Sequence, residues 1–411
     1  MRDAYIVESV RTPGCRRNKG LLSQTRPEDL ISTALKGLAE RSGVDKSTVD
    51  DVMLGCAFPE AEQGINIGRI AALMADFPIT TSGATVNRFC SAGLEAIALS
   101  SFRVMTGMCE AAIGGGVESM SIVPMGGNLP RPHPEWSKAH PEVYMSMGVT
   151  AENVARRYGV TREDQDIFGY HSHMKAAKAQ KAGNFTEIVP VQAYKWNDNG
   201  NGSFSKETYT VDYDDGVRET TTVEGMKKLR GAFSAPIPGV ENSASVTAAN
   251  SSQTTDGAAA TLIMSEDEMK RQGLKPKARL VKYVVAGCNA DEMGIGPAIA
   301  IPKLFKLAGI DIETMKKDGI FELNEAFASQ AIYSARELGI GDEKWWSSES
   351  DDCIINPSGG AIALGHPLGC TGAKLCATLI ANMQRMGKRY GIESMCIGGG
   401  MGAAALFELV D

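Results

Sequence analysis

Two cysteines and one histidine of this chain stand in glycine-rich surroundings where reactive side chains are often displayed. Cys90 falls in VNRFCSAG, between a strand-like run and a helix that begins Ser-Ala-Gly. Free backbone N–H groups and the positive end of a helix dipole lie at such a junction, and both favour a thiolate. We therefore expect a lowered pKa for the Cys90 thiol and a nucleophilic role. A buried cysteine with only a packing role is the alternative.

The histidine and the second cysteine follow glycines near the other end of the chain. His366 precedes Pro367 in ALGHPLG, which favours an extended backbone. An imidazole that titrates near neutrality is a suitable base for a thiol, although a loop histidine with satisfied hydrogen bonds is the alternative. Cys396 ends the strand-like ESMCI, directly before the three glycines at 398–400. Those glycines allow a ligand to approach backbone N–H groups closely.

Other site chemistries are excluded by spacing. GGGMG lacks the GxGxxG spacing and has too few residues after it for a dinucleotide-binding unit, and no GxxxxGK[ST] occurs. His171 and His173 lack further ligands at zinc-site spacing, so we expect no metal. The nine cysteines form no CxxC pair, a usage that fits a reducing cytosol better than a disulfide framework.

Composition predicts a soluble multidomain protein. The 411 residues correspond to two or three domains at about 100–200 residues each. Lys and Arg number 42 against 49 Asp and Glu, a net charge of −7, so no global field attracts nucleic acid or an anionic membrane. There is no signal-length or membrane-spanning apolar run. We expect a cytoplasmic protein with no nucleic-acid partner and no membrane insertion.

Strand-like and helix-like runs alternate in the first 120 residues, which is typical of an α/β layer with a mostly parallel sheet. From about Ser121 the chain becomes loop-like, apart from a polar amphipathic helix at Thr161–Ala182. Alternation returns at about Lys277, and the second half repeats the plan of the first. The segments around Cys90 and His366 then occupy matching turns, which we expect to face one crevice.

Four ordered motifs, VNRFCSAG, LNEAFA, NPSGGAIALGHPLGCTGA and MCIGGGMGAA, together closely resemble the thiolase family. The resemblance runs over essentially the full length. EAEQGINIGRIAALMADFP and AGCNADEMGIGPA are more similar to the degradative 3-ketoacyl-CoA thiolases than to the acetoacetyl-CoA-forming group. Asn324 of LNEAFA, taken alone, would be read as a helix N-cap.

The resemblance implies an α/β, thiolase-like fold of two pseudo-duplicated βαβαβαββ halves packed in layers. It places the N-terminal half at residues 1–119 with a returning piece at 254–274, and the C-terminal half at 275–411. Residues 120–253 would form an inserted loop domain that binds coenzyme A.

The resemblance also implies catalytic roles. Cys90 would be the nucleophile that carries the acyl group, with His366 as its base, and Cys396 would move the proton of the acetyl unit. Asn324 would hold a water that, with His366, stabilises the enolate oxygen. The backbone N–H groups of Cys90 and Gly398 would stabilise the tetrahedral intermediate. The residues implied for coenzyme A and substrate binding are Arg218, Ser252, Met147, Ala326 and Phe327.

The expected activity is an acyltransferase reaction, the thiolytic cleavage of 3-ketoacyl-CoA in fatty acid β-oxidation. An acetyl-CoA acetyltransferase that forms acetoacetyl-CoA is the first alternative. A β-ketoacyl carrier-protein synthase shares the fold but has no use for Cys396, and intact catalytic residues argue against a non-catalytic lipid-binding protein. Coenzyme A would be a co-substrate, with no permanently bound cofactor. A homodimer or homotetramer, and a complex with a hydratase/dehydrogenase β-oxidation partner, are the partners that the resemblance implies.

Overall fold

The computed structural model describes residues 2–233 and 244–410. The strands are β1 Tyr5–Arg11, β2 Cys15–Arg16, β3 Val49–Gly55, β4 Ser82–Val86, β5 Ala111–Ser119, β6 Val191–Asp198, β7 Phe204–Val211, β8 Thr255–Met264, β9 Ala278–Gly287, β10 Gly319–Leu323, β11 Tyr390–Ile397 and β12 Met401–Leu409. The α-helices are α1 Pro27–Ser42, α2 Ile67–Met74, α3 Ala92–Met105, α4 Pro134–Ala139, α5 Met147–Arg157, α6 Arg162–Lys181, α7 Val223–Lys227, α8 Glu266–Arg271, α9 Gly296–Ala308, α10 Ile312–Asp318, α11 Ala328–Glu337, α12 Ala361–Leu364 and α13 Thr371–Met386.

The main sheet has the strand order β10-β11-β12-β9-β1-β8-β5-β3-β4. Its two ends match: β3 lies parallel to β5 and β4, while β10 lies parallel to β11 and forms a single parallel bridge from Phe321 to Ile355. In each half the next strand, β8 or β12, is antiparallel. With the Ile355 bridge standing at the position of β4, each half reads βαβαβαββ, and the duplicated fold predicted from the sequence is confirmed.

The core is layered around two central helices. The N-termini of α3 and α13 follow the Cys90 and His366 segments, and both helices pack in one apolar cluster with residues of β8, β11 and β12. A second cluster covers the outer face of the first half with α1 and α2, and a third covers the second half with α9 and α11. Because the two central helices are buried against each other in this cluster, the segments that precede them are brought together.

Local sequence signals set several helix ends. α1 begins with Pro27, has Glu28 and Asp29 in its first turn, and ends at Gly43 in the left-handed conformation. Thr161 caps α6 through a capping box with Asp164, as the polar pattern of Thr161–Ala182 predicts.

Two local predictions need correction. YKWNDNGNGSFSKETYTV, expected to be a loop, forms the β6–β7 hairpin, whose end near residues 199–203 is exposed on both faces and so lacks an alternating pattern. The helix that the sequence predicts at Pro302–Leu307 begins earlier, at Gly296, and Pro302 lies inside it. Pro297 occupies the first turn there, where a missing N–H costs no hydrogen bond.

No single helix among the described residues is long and apolar enough to cross a membrane; the bent pair 290–308 and 312–318 meets the length and composition test only when its two parts are taken together.

Two acidic side chains lie side by side in the core of the second half. Glu322 and Glu393 are neighbours across β10 and β11, and both are fully buried. Asn382 donates a hydrogen bond to Glu322 at 3.0 Å, while neither carboxyl oxygen of Glu393 has a partner in the described part of the chain. Burial raises the pKa of Glu322 to about 8 and that of Glu393 well above its usual range.

This pair predicts a stability that falls with pH. Between the ordinary glutamate pKa of about 4.3 and the folded value of about 8, the folded chain binds more protons at Glu322 than the unfolded chain does. Raising the pH through this window therefore destabilises the protein. Glu322→Gln removes the titration, so the stability difference between variant and wild type should grow in the variant's favour from pH 5 to pH 8. Urea unfolding curves at several pH values measure it, and a difference that stays constant with pH would contradict the prediction.

Candidate active site

The predicted catalytic residues sit where parallel strands end and the two central helices begin. Cys90 lies in a 3₁₀ turn, Phe89–Ser91, between β4 and α3. Asn324 directly follows β10, and Cys396 is the penultimate residue of β11. His366 lies between α12 and the 3₁₀ turn Leu368–Cys370 that leads into α13. All four side chains are buried.

The Cys90 turn is held in an unusual conformation. Phe89 has a φ of 44°, a left-handed value that is uncommon for a large side chain. Its N–H donates to the Asn87 side-chain oxygen at 2.7 Å. Arg88 donates to Glu95 at 2.6 Å, and Tyr283 donates to the same carboxylate at 2.5 Å. Such strain, of order 1–3 kcal/mol, persists only where the surroundings impose it.

Two backbone N–H groups lie close to the Cys90 sulfur. The N–H of Gly398 and the N–H of Cys90 itself lie close enough to the Cys90 sulfur to lower the pKa of the thiol. The resemblance implies these same two N–H groups as oxyanion donors. A Cβ at position 398 would lie 3.4 Å from the Met147 sulfur and 3.8 Å from the Phe89 ring, so both side chains line the approach to Gly398.

The expected thiolate at Cys90 is corrected by the structure. Burial raises the pKa of this thiol to about 11 and outweighs the two N–H groups. A charge taken out of water is costly, and the helix start offsets only part of that cost. The free protein therefore holds Cys90 as a neutral thiol, so a base must remove its proton during reaction.

His366 is the candidate base for that proton because one of its ring nitrogens is unprotonated. Its Nδ1 lies 2.6 Å from the Thr371 hydroxyl, which itself donates to the Pro367 carbonyl at 3.0 Å. Thr371 therefore accepts a hydrogen bond from Nδ1–H, which leaves Nε2 as the unprotonated nitrogen. Nε2 is buried without a partner among the described residues. Burial, followed by the charge of Lys374, lowers the pKa of His366 to about 3, so the ring is neutral at working pH.

Cys396 lies close enough to Cys90 for their charges to interact. It is fully buried, and burial, followed by the charges of Cys90 and Cys288, raises the pKa of its thiol well above the usual range. It packs in one apolar cluster with Ala326 and Phe327, which Met147 borders. A protonated, dry thiol beside the nucleophile can donate a proton to a developing carbanion.

Asn324 is free to bind a small polar partner. Its backbone N–H donates to the Ser394 carbonyl at 2.9 Å, which ties the end of β10 to β11. Both polar atoms of its side chain are buried without a hydrogen-bond partner in the described ranges. Buried amides are normally satisfied by protein or ordered water, so this side chain is suited to hold a water. An N-cap role, the alternative from the sequence, is absent because no side-chain cap forms at the start of α11.

The candidate coenzyme A residues are only partly brought together. Ala326 and Phe327 pack in one cluster with Cys396, Met147 borders that cluster, and Ser252 donates its N–H to the Ala326 carbonyl at 3.0 Å. Arg218 is exposed, and its N–H donates to His173 at 3.2 Å. No contact joins it to the other four in the described residues, so its role remains a prediction.

Thr371 and Glu118 are site residues that the sequence analysis missed. Thr371 orients His366, and its signal was a hydroxyl five residues after the histidine at a helix start. Glu118 accepts hydrogen bonds from the loops on both sides of the site, and its signal was a lone acid in the apolar run AAIGGGVESM. No group of three metal-ligating side chains occurs within residues 2–233 and 244–410.

Comparison with known families decides the identity of the fold. Residues 4–267 match the model of the thiolase N-terminal domain, and residues 274–409 match that of the thiolase C-terminal domain. The chain belongs to the thiolase family. The duplicated halves and the four motifs predicted from the sequence are thus confirmed as a thiolase pattern.

Full-length relatives place the chain near the degradative group. It is 47% identical to the 3-ketoacyl-CoA thiolase of Bacillus subtilis (strain 168), with 100% of both chains covered. It is 41% identical to the peroxisomal 3-ketoacyl-CoA thiolase of Homo sapiens, covering 99% of this chain and 91% of the human one. The crystal structure of the Bacillus anthracis acetyl-CoA acetyltransferase superposes with a TM-score of 0.84 at 34% identity, covering 100% of this chain and 99% of the other. The predicted similarity to degradative thiolases is confirmed.

Proposed function

We propose that the chain is an acetyl-CoA C-acyltransferase that cleaves 3-ketoacyl-CoA with coenzyme A, giving acetyl-CoA and a shortened acyl-CoA. The observation that carries this is the pairing of two buried thiols, Cys90 and Cys396, with the segment of the neutral His366 packed against Cys90 through Leu368. Carbon–carbon cleavage needs a covalent acyl carrier and a separate proton donor for the departing enolate. A single cysteine cannot serve both roles at once.

In the first half-reaction Cys90 attacks the 3-keto carbonyl, and its proton passes to Nε2 of His366 as the C–S bond forms. The N–H groups of Cys90 and Gly398 stabilise the oxyanion. The Cα–Cβ bond then breaks, and Cys396 gives its proton to the carbanion, which leaves as acetyl-CoA. Asn324, through a water, and His366 stabilise the enolate oxygen. The products are acyl-Cys90, an imidazolium and a Cys396 thiolate.

In the second half-reaction the Cys396 thiolate takes the proton of the coenzyme A thiol. The resulting thiolate attacks acyl-Cys90, and the shortened acyl-CoA departs. Cys90 recovers its proton from the imidazolium of His366. All protons return to their starting groups, so no permanently bound cofactor is required; coenzyme A is the co-substrate.

Chain length separates this function from an acetyl-CoA acetyltransferase. Cys90 packs in an apolar cluster with Ala57, Met120 and Leu368, bordered by Phe58, which suits an acyl chain. Each buried CH₂ contributes up to about 0.8 kcal/mol, so kcat/KM for thiolysis should hold or rise from four carbons toward medium length. Thiolysis of acetoacetyl-CoA is measured against six- to ten-carbon 3-ketoacyl-CoAs. Activity confined to the four-carbon substrate would favour the acetyltransferase, because a clash with a closed pocket outweighs methylene burial.

Arg218 is proposed to contact the nucleotide end of coenzyme A. The chain is acidic overall, so a local cation must meet those phosphates. Arg218→Ala should raise KM for coenzyme A with little change in kcat, because the contact is equal in ground and transition states. Added salt should reduce the difference. Lys306→Ala removes an exposed cation from α9 and serves as the control; an unchanged KM for Arg218→Ala at low salt would exclude Arg218 from the site.

A homodimer, or a homotetramer built from it, and a cytoplasmic location complete the proposal. Support for self-association comes from β4, which ends the main sheet and is largely uncovered. Ile65 and Ile79 flank this region with exposed fractions of 91% and 84%. An open strand edge beside exposed apolar side chains favours pairing with a second chain. A complex with a hydratase/dehydrogenase partner rests on the family resemblance alone.

A further inference from the structure

Glu118 is a fully buried carboxylate near the end of β5. Its Oε2 accepts the N–H groups of Ala57 and Gly369, each at 2.8 Å. Its Oε1 accepts from the Gln63 amide at 2.8 Å and from the Phe58 N–H at 3.4 Å. No Lys or Arg pairs with it in the described part of the chain. Because backbone and amide donors face both oxygens, the ionised form fits this environment, although burial raises its pKa.

These hydrogen bonds connect the two catalytic segments. On one side, Ala57 donates to Glu118, and the Ala57 carbonyl accepts from the Asn87 side chain at 2.9 Å. The same Asn87 side chain holds the N–H of Phe89 at 2.7 Å, one residue before Cys90. On the other side, Gly369 follows His366 by three residues. A continuous set of hydrogen bonds therefore joins the Cys90 turn to the His366 segment through one carboxylate.

The packing at this junction leaves little freedom. A Cβ on Gly369 would lie 2.5 Å from the Ala57 nitrogen and 2.6 Å from Glu118 Oε2. The two segments thus meet backbone to backbone, with the carboxylate between them. The negative charge of Glu118 also acts on the nucleophile, because it is one cause of the raised pKa of Cys90.

We propose that Glu118, as an ionised carboxylate, is a positioning residue that sets the placement of Cys90 relative to His366. The proposal rests on the catalytic roles given under the proposed function. Glu118 touches no reacting atom in this scheme. It acts through Ala57 and Asn87 on one side and through Gly369 on the other.

Glu118→Gln is the most direct test. The substitution keeps the shape of the side chain, but in either orientation of the amide its NH₂ group faces backbone or amide donors and cannot accept their hydrogen bonds. The rate of Cys90 acylation by acyl-CoA, followed by intact-protein mass spectrometry in a single turnover, should fall by about 10²-fold, a scale known for small misplacements. The KM for acyl-CoA should change far less. Glu322→Gln makes the same chemical change at a buried carboxyl outside both segments and should keep the wild-type rate.

A second readout does not depend on the proposed reaction. The pH profile of Cys90 alkylation by iodoacetamide should move to lower pH in Glu118→Gln, because an anion near the thiol is removed. If wild-type Cys90 is not acylated by acyl-CoA, the proposed function fails, and this profile still tests Glu118. Wild-type acylation with an unshifted profile and an unchanged rate in Glu118→Gln would overturn the proposal.

Asn87→Ala keeps the test valid if Glu118→Gln fails to fold. It breaks the same connection one step nearer to Cys90 and should slow acylation as well. If both variants fold, the double variant should be no slower than the slower single variant, as expected of residues that act in one network. Full additivity of the two losses, or a wild-type acylation rate in Asn87→Ala, would contradict the connection through Ala57.

Discussion

Cys90→Ala should abolish acylation of the protein. Wild-type chain mixed with acyl-CoA is expected to gain one acyl group, seen by intact-protein mass spectrometry, and the variant to gain none. The reason is geometric: the Cys90 sulfur alone has both the Gly398 N–H and its own N–H directed at it. No other thiol of the described chain combines that pair of N–H groups with packing against the His366 segment, which Cys90 contacts through Leu368.

The control for this experiment is Cys353→Ala, which removes a half-buried thiol from a distant segment. It should acylate at the wild-type rate. Peptide mapping of the wild-type adduct adds a second check. An adduct on Cys396, with Cys90 unmodified, would overturn the assignment of the nucleophile.

Cys396→Ala should separate the two halves of the chemistry. Acylation of Cys90 by an acyl-CoA needs no proton on the α-carbon, so it should persist in this variant. Cleavage of a 3-ketoacyl-CoA needs that proton and should fall by at least about 10²-fold, the usual scale for a removed general acid. Single-turnover acylation and steady-state thiolysis, measured on the same preparation, give the two rates.

Cys396→Ser refines this test because it keeps a proton donor of similar size but weaker acidity. Thiolysis by this variant is expected to lie between those of wild type and Cys396→Ala. Equal loss of acylation and thiolysis in Cys396→Ala would mean that Cys396 shapes the site rather than moving a proton.

Much of the fold was predictable because its signals are local. Short periodic runs predicted the small-residue helix after Cys90, the glycine-ended strands and the amphipathic helix at Thr161–Ala182. The catalytic candidates were found for the same reason. Each candidate lies at the end of a strand or the start of a helix, where a short motif indicates both the backbone conformation and the reactive type of side chain.

The burial and the hydrogen-bond partners of those candidates could not be predicted from local motifs. The sign of the Cys90 pKa shift depends on burial among residues from distant segments, such as Ala57, Met120 and Leu368, and this burial outweighs the local helix start that the sequence displays. The partners of Glu118 lie as far as 251 residues away, at Gly369. The β6–β7 hairpin was missed because its far end is solvated on both faces, so no alternation marks it.

The amino-acid sequence was sufficient to identify the family and the duplicated halves and to single out two candidate cysteines and a histidine, because these follow from motifs within single turns and strands. The tertiary structure decided the protonation states and the supporting contacts: burial keeps Cys90 a neutral thiol, and within the described residues Nε2 of His366 and the side-chain amide of Asn324 have no hydrogen-bond partner. Desolvation and hydrogen-bond partnership are properties of the space around a side chain. That space is enclosed by segments far apart in the chain, so it exists only once the two halves have packed.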